Sequence, residues 1–293
     1  MNPRVSVVLP VYNREEVLPR SIESVLGQKL EEWELIVIDD GSTDGAAEVA
    51  RSFGDNRVRL LRLGANRGGN AARNAGIREA KAPLISFLDS DDAYLPEKLE
   101  RTVAHFDKRP DLDLLVDSFI KAWPPGSARP TVVRRNPVIE DRETFRRALF
   151  TRLLWKATPA MSVKREAAMR AGLFDESLKR LQDFDFLIRI SEFANCASTD
   201  EVLWTKYWDS NAISAQDTFI PANIELVRRH PEYLARADYR PGLGYALRLS
   251  FWRKLSKADL GGAWEDVSDL AQAFGGGQAA KLVAAALRPR PRL

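Results

Sequence analysis

Along the N-terminal third of the chain, apolar positions alternate between short continuous runs and sets spaced for a helix. Val5-Ser6-Val7-Val8-Leu9 is a β-branched run closed by Pro10, which predicts a buried strand. Val17, Leu18, Ile22, Val25 and Leu26 recur at helical spacing and predict an amphipathic helix from about Glu15 to Leu26. Further strands are expected over Glu34–Ile38, Arg57–Leu63 and Pro83–Leu88. A helix with Thr43 or Asp44 as N-cap and another over Gly69–Ala80 fall between them. This β-α-β alternation with short connections predicts an α/β fold, a mainly parallel sheet flanked by helices.

Beyond Leu95 the pattern is less regular. Leu112–Val116 reads as a strand, Trp123–Pro130 as a loop, and Arg142–Leu154 and Lys164–Ala171 as helices. Gln182–Ile190 carries Phe184, Phe186 and Leu187 among charged residues. From about Ala222 the composition is helical, ending in Gly275-Gly276-Gly277, one more helix and an Arg-Pro-Arg-Pro-Arg tail. The expected organisation is a sheet domain over residues 1–215 and a helical extension over 216–293.

In open α/β sheets ligands bind at the carboxyl ends of the strands. Three polar clusters fall there, Tyr12-Asn13, Asp39-Asp40 and Asp89-Ser90-Asp91-Asp92, and they should converge on one crevice. Carboxylates crowded as in the last cluster repel one another unless a cation or a set of donors compensates them. Mg2+ and Mn2+ take oxygen ligands of this kind together with substrate phosphates. An acidic turn capping the next helix is the plain alternative. The chain has neither Gly-x-Gly-x-x-Gly after the first strand nor a Gly-x-x-x-x-Gly-Lys-Ser/Thr loop. A diphosphate at an acidic strand end therefore needs a bridging metal and a cation such as Arg73.

Composition narrows the partners. A net charge of +3 with scattered arginines and no basic-aromatic stripe argues against nucleic acid. The single Cys196 excludes an internal disulfide and any Cys-based zinc site, which suits a reducing cytoplasm. No run reaches transmembrane length, and Val5–Val11 is too short for a signal peptide, so a cytoplasmic location is expected. His105 and His230 read as surface or packing residues, Met161 and Met169 as core fillers. Of Trp155, Trp204 and Trp208, at least two are expected in the core, with sugar stacking as the other role.

Taken together, the motifs resemble the family 2 glycosyltransferases, inverting nucleotide-sugar enzymes with a GT-A fold. The matching residues are Pro10-Val11-Tyr12-Asn13, Asp39-Asp40-Gly41-Ser42-Thr43-Asp44, Asn66-Arg67-Gly68 with Ala72-Arg73-Asn74, and Phe87-Leu88-Asp89-Ser90-Asp91-Asp92. Gly172-Leu173-Phe174-Asp175-Glu176 and Gln182-Asp183-Phe184-Asp185-Phe186 follow in family order, so the likeness covers about residues 3–215.

The resemblance implies transfer of a sugar from a UDP-sugar to a hydroxyl of a glycan or lipid-linked acceptor, in cell-surface polysaccharide or lipopolysaccharide synthesis. Pro10, Tyr12, Asn13 and Asp40 would hold the nucleoside, Asp40 accepting from a uracil N–H. Arg73 would lie near the diphosphate, and Asp89, Ser90 and Asp91 would form the DxD motif. Asp91 is then the direct metal ligand, with Asp89 acting on the ribose or through water on the metal. Asp183 would be the catalytic base, with Asp185 as its competitor for that role.

Two positions depart from the family pattern. Gln182 stands where many relatives have Glu, which leaves the acceptor open. Asp209 falls where relatives often place a metal-binding His. A sugar nucleotidyltransferase and a catalytically impaired binding module remain as alternatives. The former would carry a glycine-rich basic loop that Pro10–Arg14 lacks. Two readings of the C-terminal helices also stay open, a dimerisation or lid element and a basic surface approaching the inner face of an anionic membrane.

Overall fold

The computed structural model describes residues 2–124, 126–208, 219–255 and 258–286. The N-terminal half runs β1 (Val5–Val11), α1 (Leu18–Leu26), β2 (Trp33–Asp39), α2 (Ala46–Ser52), β3 (Val58–Arg62), α3 (Gly69–Glu79), β4 (Leu84–Phe87), β5 (Ala93–Tyr94) and α4 (Lys98–Lys108). Then come β6 (Leu114–Ala122), β7 (Val132–Arg134), α5 (Arg142–Phe150), β8 (Met161–Lys164), α6 (Arg165–Arg170), α7 (Gln182–Ser191) and β9 (Cys196–Tyr207). The last helices are α8 (Phe219–Arg229), α9 (Glu232–Ala235), α10 (Arg240–Leu255), α11 (Leu260–Phe274) and α12 (Gly276–Ala286).

Among the described residues one sheet has the order β3-β2-β1-β4-β8-β6-β9-β5, with β7 paired to β6. The first four strands are parallel, β1 lying between β2 and β4. Their carboxyl ends therefore sit side by side, which brings the three polar clusters to one edge. β8 runs antiparallel to both β4 and β6, and β9 returns parallel to β6. Val7, Val8 and Leu9 are fully buried because helices cover both faces of a parallel sheet.

Helix α3 packs closely on this layer. A Cβ on Gly76 would lie 2.6 Å from Val8 Cγ1 and 2.8 Å from Ile38 Cδ1, so only glycine lets the helix approach β1 and β2. One turn apart on α3, Asn70 and Asn74 reach the loop before α7. Asn70 Nδ2 donates to the carbonyls of Asp175 and Leu178, and Asn74 exchanges two hydrogen bonds with the backbone of Phe174. Phe174 then meets Phe87 edge-on at 5.4 Å and stacks on Phe186 at 4.5 Å. The late motif is thus locked to the strand that carries Asp89.

β6 extends to Ala122, beyond the expected Val116. Asp117 and Ser118 interrupt the apolar run, but both are satisfied internally. Asp117 pairs with Lys98, and Ser118 Oγ donates to Thr199 O at 2.9 Å while accepting from Asn136 N at 2.8 Å. The β6–β9 register shifts at these residues, a bulge that absorbs them. Asp44 Oδ1 accepts from Ala46 N, yet the residue at the start of α2 is Gly45. Met161 is in the core, whereas Met169 is 43% exposed on α6 and fills no gap there, correcting the expectation for it. Of the three tryptophans only Trp204 is core, stacked on Phe119 at 4.5 Å. Trp155 is half-buried and Trp208 lies exposed, so core packing explains one of the three rather than two.

The Cα arrangement divides into two compact units. The first holds residues through 142 with 155–210, and contains the sheet. The second joins residues 143–154 to those from 211 onward, so most of α5 belongs with α8–α12 although it comes from mid-chain. Within it Phe150 stacks on Tyr239 at 4.2 Å and meets Tyr233 at 4.7 Å, and Arg152 Nη2 donates to Asn223 Oδ1 at 2.6 Å. Among the described residues no helix is long and apolar enough to cross a membrane.

Candidate active site

The Asp89–Asp92 turn follows β4 and is closed by Asp92 N donating to Asp89 O at 3.1 Å. Helix α1 holds its backbone from beneath. Ser21 Oγ donates to Asp92 O at 2.7 Å, and Arg20 Nη2 donates to Asp91 O while its guanidinium lies 3.8 Å from the Tyr207 ring centroid. With the main chain held this way, the carboxylates of Asp89, Asp91 and Asp92 bring ligand atoms within 4.8 Å of one another.

Arg73 and Lys206 meet these acids directly, and the charge of Arg14 also acts on Asp91. Arg73 Nη2 donates to Asp89 Oδ1 at 2.6 Å, and Lys206 Nζ lies 4.0 Å from Asp92 Oδ2. Burial, reinforced by the Asp89 charge, raises the Asp91 carboxyl above its usual range. Burial pushes Asp92 well above that range, with Lys206 opposing and the other two acids adding. Lys206 loses basicity to burial but gains more from Asp92, Asp89, Asp91 and Asp183, and ends above the ordinary lysine value. Asp92 is fully buried and accepts from Tyr207 N at 3.0 Å through Oδ1, while its Oδ2 has no hydrogen-bond partner among the described residues. The half-exposed Asp89 and Asp91 carboxylates offer hard oxygen donors at the strand end and fit a divalent cation such as Mg2+ or Mn2+, with Asp92 buried behind them.

The nucleoside candidates lie along the same edge. Tyr12 is 42% exposed and Pro10 half-buried at the end of β1. Asn13, in the left-handed region at φ 51°, ties the strand end to the next loop. Its N–H donates to Ser42 Oγ at 3.0 Å and its Oδ1 accepts from Thr43 N at 2.8 Å. Asp40 is buried and accepts from Arg67 N at 2.9 Å and Gly68 N at 2.7 Å, one bond to each oxygen. Gly41, at φ 79°, must be glycine, since a Cβ would stand 2.8 Å from Ala65 C. Asp39 is a loop fastener, accepting from Ser42 N and from Arg62 Nε. Ser90 sits half-exposed in the acidic turn.

Asp183 and Asp185 are told apart by their partners. Asp185 is buried and pairs with Arg189 at 2.8 Å, a brace within α7. Asp183 opens the helix, accepting from Phe184 N at 2.9 Å and from Lys156 Nζ at 3.0 Å. Lys156 in turn lies 3.5 Å from the Phe184 ring centroid. Gln182 is half-buried beside it, and Asp209 lies outside the described residues. Lys206, Lys156 and Arg20 were not singled out from sequence. Each is a lone basic residue without a motif, placed here by a strand or helix distant along the chain.

The family profile for Glycosyl transferase family 2 matches residues 6–160, just over half of the chain. An uncharacterized glycosyltransferase of Bacillus subtilis, EpsJ, is 28% identical over 266 residues, covering 87% of this chain and 70% of that protein. The Escherichia coli UDP-Glc:alpha-D-GlcNAc-diphosphoundecaprenol beta-1,3-glucosyltransferase WfgD is 40% identical over 100 residues, 34% of this chain and 40% of that one. Among solved structures, residues 1–349 of S. aureus TarS in complex with UDP-GlcNAc superpose with a TM-score of 0.64 at 17% identity, covering 97% of this chain and 91% of that one. The sheet and its flanking helices are those of a GT-A glycosyltransferase, and the nucleotidyltransferase alternative falls away. The chain belongs to glycosyl transferase family 2.

Proposed function

We propose that this chain transfers a sugar, with inversion, from a UDP-sugar to a hydroxyl of a glycan or lipid-linked acceptor, and that Asp89 and Asp91 hold a divalent cation. The observation that carries this is the carboxylate cluster beside Arg73 and Lys206. WfgD, named for a UDP-Glc donor, and TarS, crystallised with UDP-GlcNAc, support a uridine donor. When bound, the cation supplies Lewis-acid stabilisation of the charge that builds on the leaving diphosphate.

The protein side of the chemistry follows from the partners. Asp40 is oriented by two backbone N–H groups, and each oxygen keeps a lone pair for a uracil N–H. Exposed Tyr12 offers a face to the base. Arg73, held against Asp89, carries positive charge to the diphosphate. Asp183 takes the proton of the attacking acceptor hydroxyl. Its contacts to Phe184 N and Lys156 fix the carboxylate plane while leaving acceptor capacity on both oxygens. Direct displacement needs no covalent intermediate.

Calorimetry of UDP with and without Mn2+ tests the donor half. Tight binding only with the metal is expected, and Asp91→Ala should abolish that dependence while Asp92→Ala keeps it. Metal-independent UDP binding of unchanged affinity in Asp91→Ala would sink the assignment.

A further inference from the structure

A second charge cluster, opposite in sign to the carboxylates, occupies the neighbouring strands. Lys121, near the end of β6, is the register partner of Lys206 on β9. Its Nζ lies 4.4 Å from the ring centroid of Trp123, and the Arg129 guanidinium lies 4.7 Å from the same ring. Arg134, on β7, covers Trp155 at 4.4 Å. Exposed Trp208, at the end of β9, reaches the Trp123 ring at 6.2 Å.

Lys121 and Arg129 thus share the Trp123 face, and Arg134, on the strand paired with that of Lys121, covers Trp155. Among the described residues none of Lys121, Arg129 and Arg134 is paired with a carboxylate. Burial lowers the basicity of Lys121, and the charges of Lys206, Arg134 and Arg129 lower it further. Exposed cation–π contacts return only about 0.5–1 kcal/mol each, too little to draw like charges together for their own sake. Such a convergence is a preformed site for an anion that brings the missing negative charge. The guanidinium forks of Arg129 and Arg134 match phosphate oxygens, and tryptophan faces suit a pyranose ring.

The position fits an acceptor. Trp155 directly precedes Lys156, the residue bonded to Asp183, and Lys206 separates Lys121 from the acidic cluster. We propose that Lys121, Arg129 and Arg134, framed by Trp123, Trp155 and Trp208, form an acceptor subsite for a phosphorylated sugar. Its phosphate or diphosphate lies among the cations and its ring against the exposed indole. This deepens the transferase assignment above and rests on it.

The test uses the full chain in EDTA, which keeps divalent cations out of the carboxylate cluster. Calorimetric titrations compare GlcNAc 1-phosphate, an alkyl-tailed GlcNAc diphosphate and the neutral methyl glycoside of GlcNAc. The phosphate is expected to bind at least ~10-fold more tightly than the neutral glycoside, the effect of about one charge-assisted hydrogen bond. Arg129→Glu, at an exposed position, should remove that preference, as should Lys121→Ala combined with Arg134→Ala. UDP binding in Mn2+ should be unchanged in these variants, which also shows that they fold. A further gain from the tail assigns the phosphate to a lipid-linked acceptor, and equal affinity assigns it to a soluble or polymer-borne one. Equal binding of phosphate and neutral glycoside by the unaltered chain overturns the subsite. So does a preference that survives in Arg129→Glu. Phosphate binding by a chain that fails to bind UDP with Mn2+ would instead keep the subsite and remove the donor assignment.

Discussion

Two sets of acidic residues in the sheet unit have opposite fates. Asp117 and Lys98 are both almost wholly inaccessible, and Lys98 Nζ donates to Asp117 Oδ2 with the Tyr94 ring 5.4 Å from the ammonium. Burial pushes the Asp117 carboxyl up to about 7, with the charge and hydrogen bond of Lys98 opposing. Asp89, Asp91 and Asp92 are instead three acids sharing Arg73 and Lys206, and two of them are half-exposed at a strand end. One carboxylate has a dedicated cation inside the protein, whereas the cluster crowds three acids together and opens two of them to the strand end. Crowding and exposure at a strand end, rather than acidity itself, separate the proposed metal site from the structural pair.

The largest effect expected lies on the functional side of this contrast. Asp183→Asn should lower transfer by about 10^2–10^4-fold, the usual contribution of a positioned base, while UDP affinity in Mn2+ stays within twofold. Retained transfer in a steady-state assay would rule out Asp183. Conversely, Lys98→Met should leave function intact in the folded fraction and destabilise the protein by about 3–5 kcal/mol at pH 8, because buried Asp117 loses the cation that opposes its desolvation. Urea denaturation measures this, and Lys98→Met combined with Asp117→Leu should recover most of the loss. A single variant as stable as the parent would break the comparison.

The pH dependence has a defined sign. The folded protein holds the Asp117 proton more tightly than the unfolded chain, whose carboxyl titrates near ~4. That stabilisation is complete below about pH 4 and is lost as pH rises towards 7. Between pH 5 and pH 8 the parent should therefore lose about 3 kcal/mol relative to the double variant, an upper figure for a two-unit span. A flat difference across that range would remove the shift from Asp117. A smaller loss, about 1–3 kcal/mol, is expected for Gly76→Ala, since the added methyl meets Val8 and Ile38. Its thermal midpoint tests the close packing of α3 under the site.

The first four strands and the acids at their ends were readable from the chain because their signals are local. A β-branched run, a helical period and a carboxylate after an apolar stretch each lie within a few residues. Parallel topology follows once the alternation is seen, so the convergence of Tyr12, Asp40 and Asp89 was predictable in outline. β6 runs past the expected Val116 because polar Asp117 and Ser118, which interrupt the apolar run, are satisfied inside the fold. Their partners Lys98 and Thr199 are remote in sequence.

The partners of the site were decided only by the fold. Whether Asp40 is free or fastened depends on a loop 27 residues away. The choice between Asp183 and Asp185 rests on which one meets Lys156 and which meets Arg189. Lys206 reaches the acidic cluster only because β9, more than a hundred residues downstream, pairs with β5, which directly follows the acidic turn. A carboxylate cluster announces itself through local crowding. The cations that balance it, or that gather as Lys121, Arg129 and Arg134 do, have no such signature, because charge interactions depend on distance in space and not on separation along the chain.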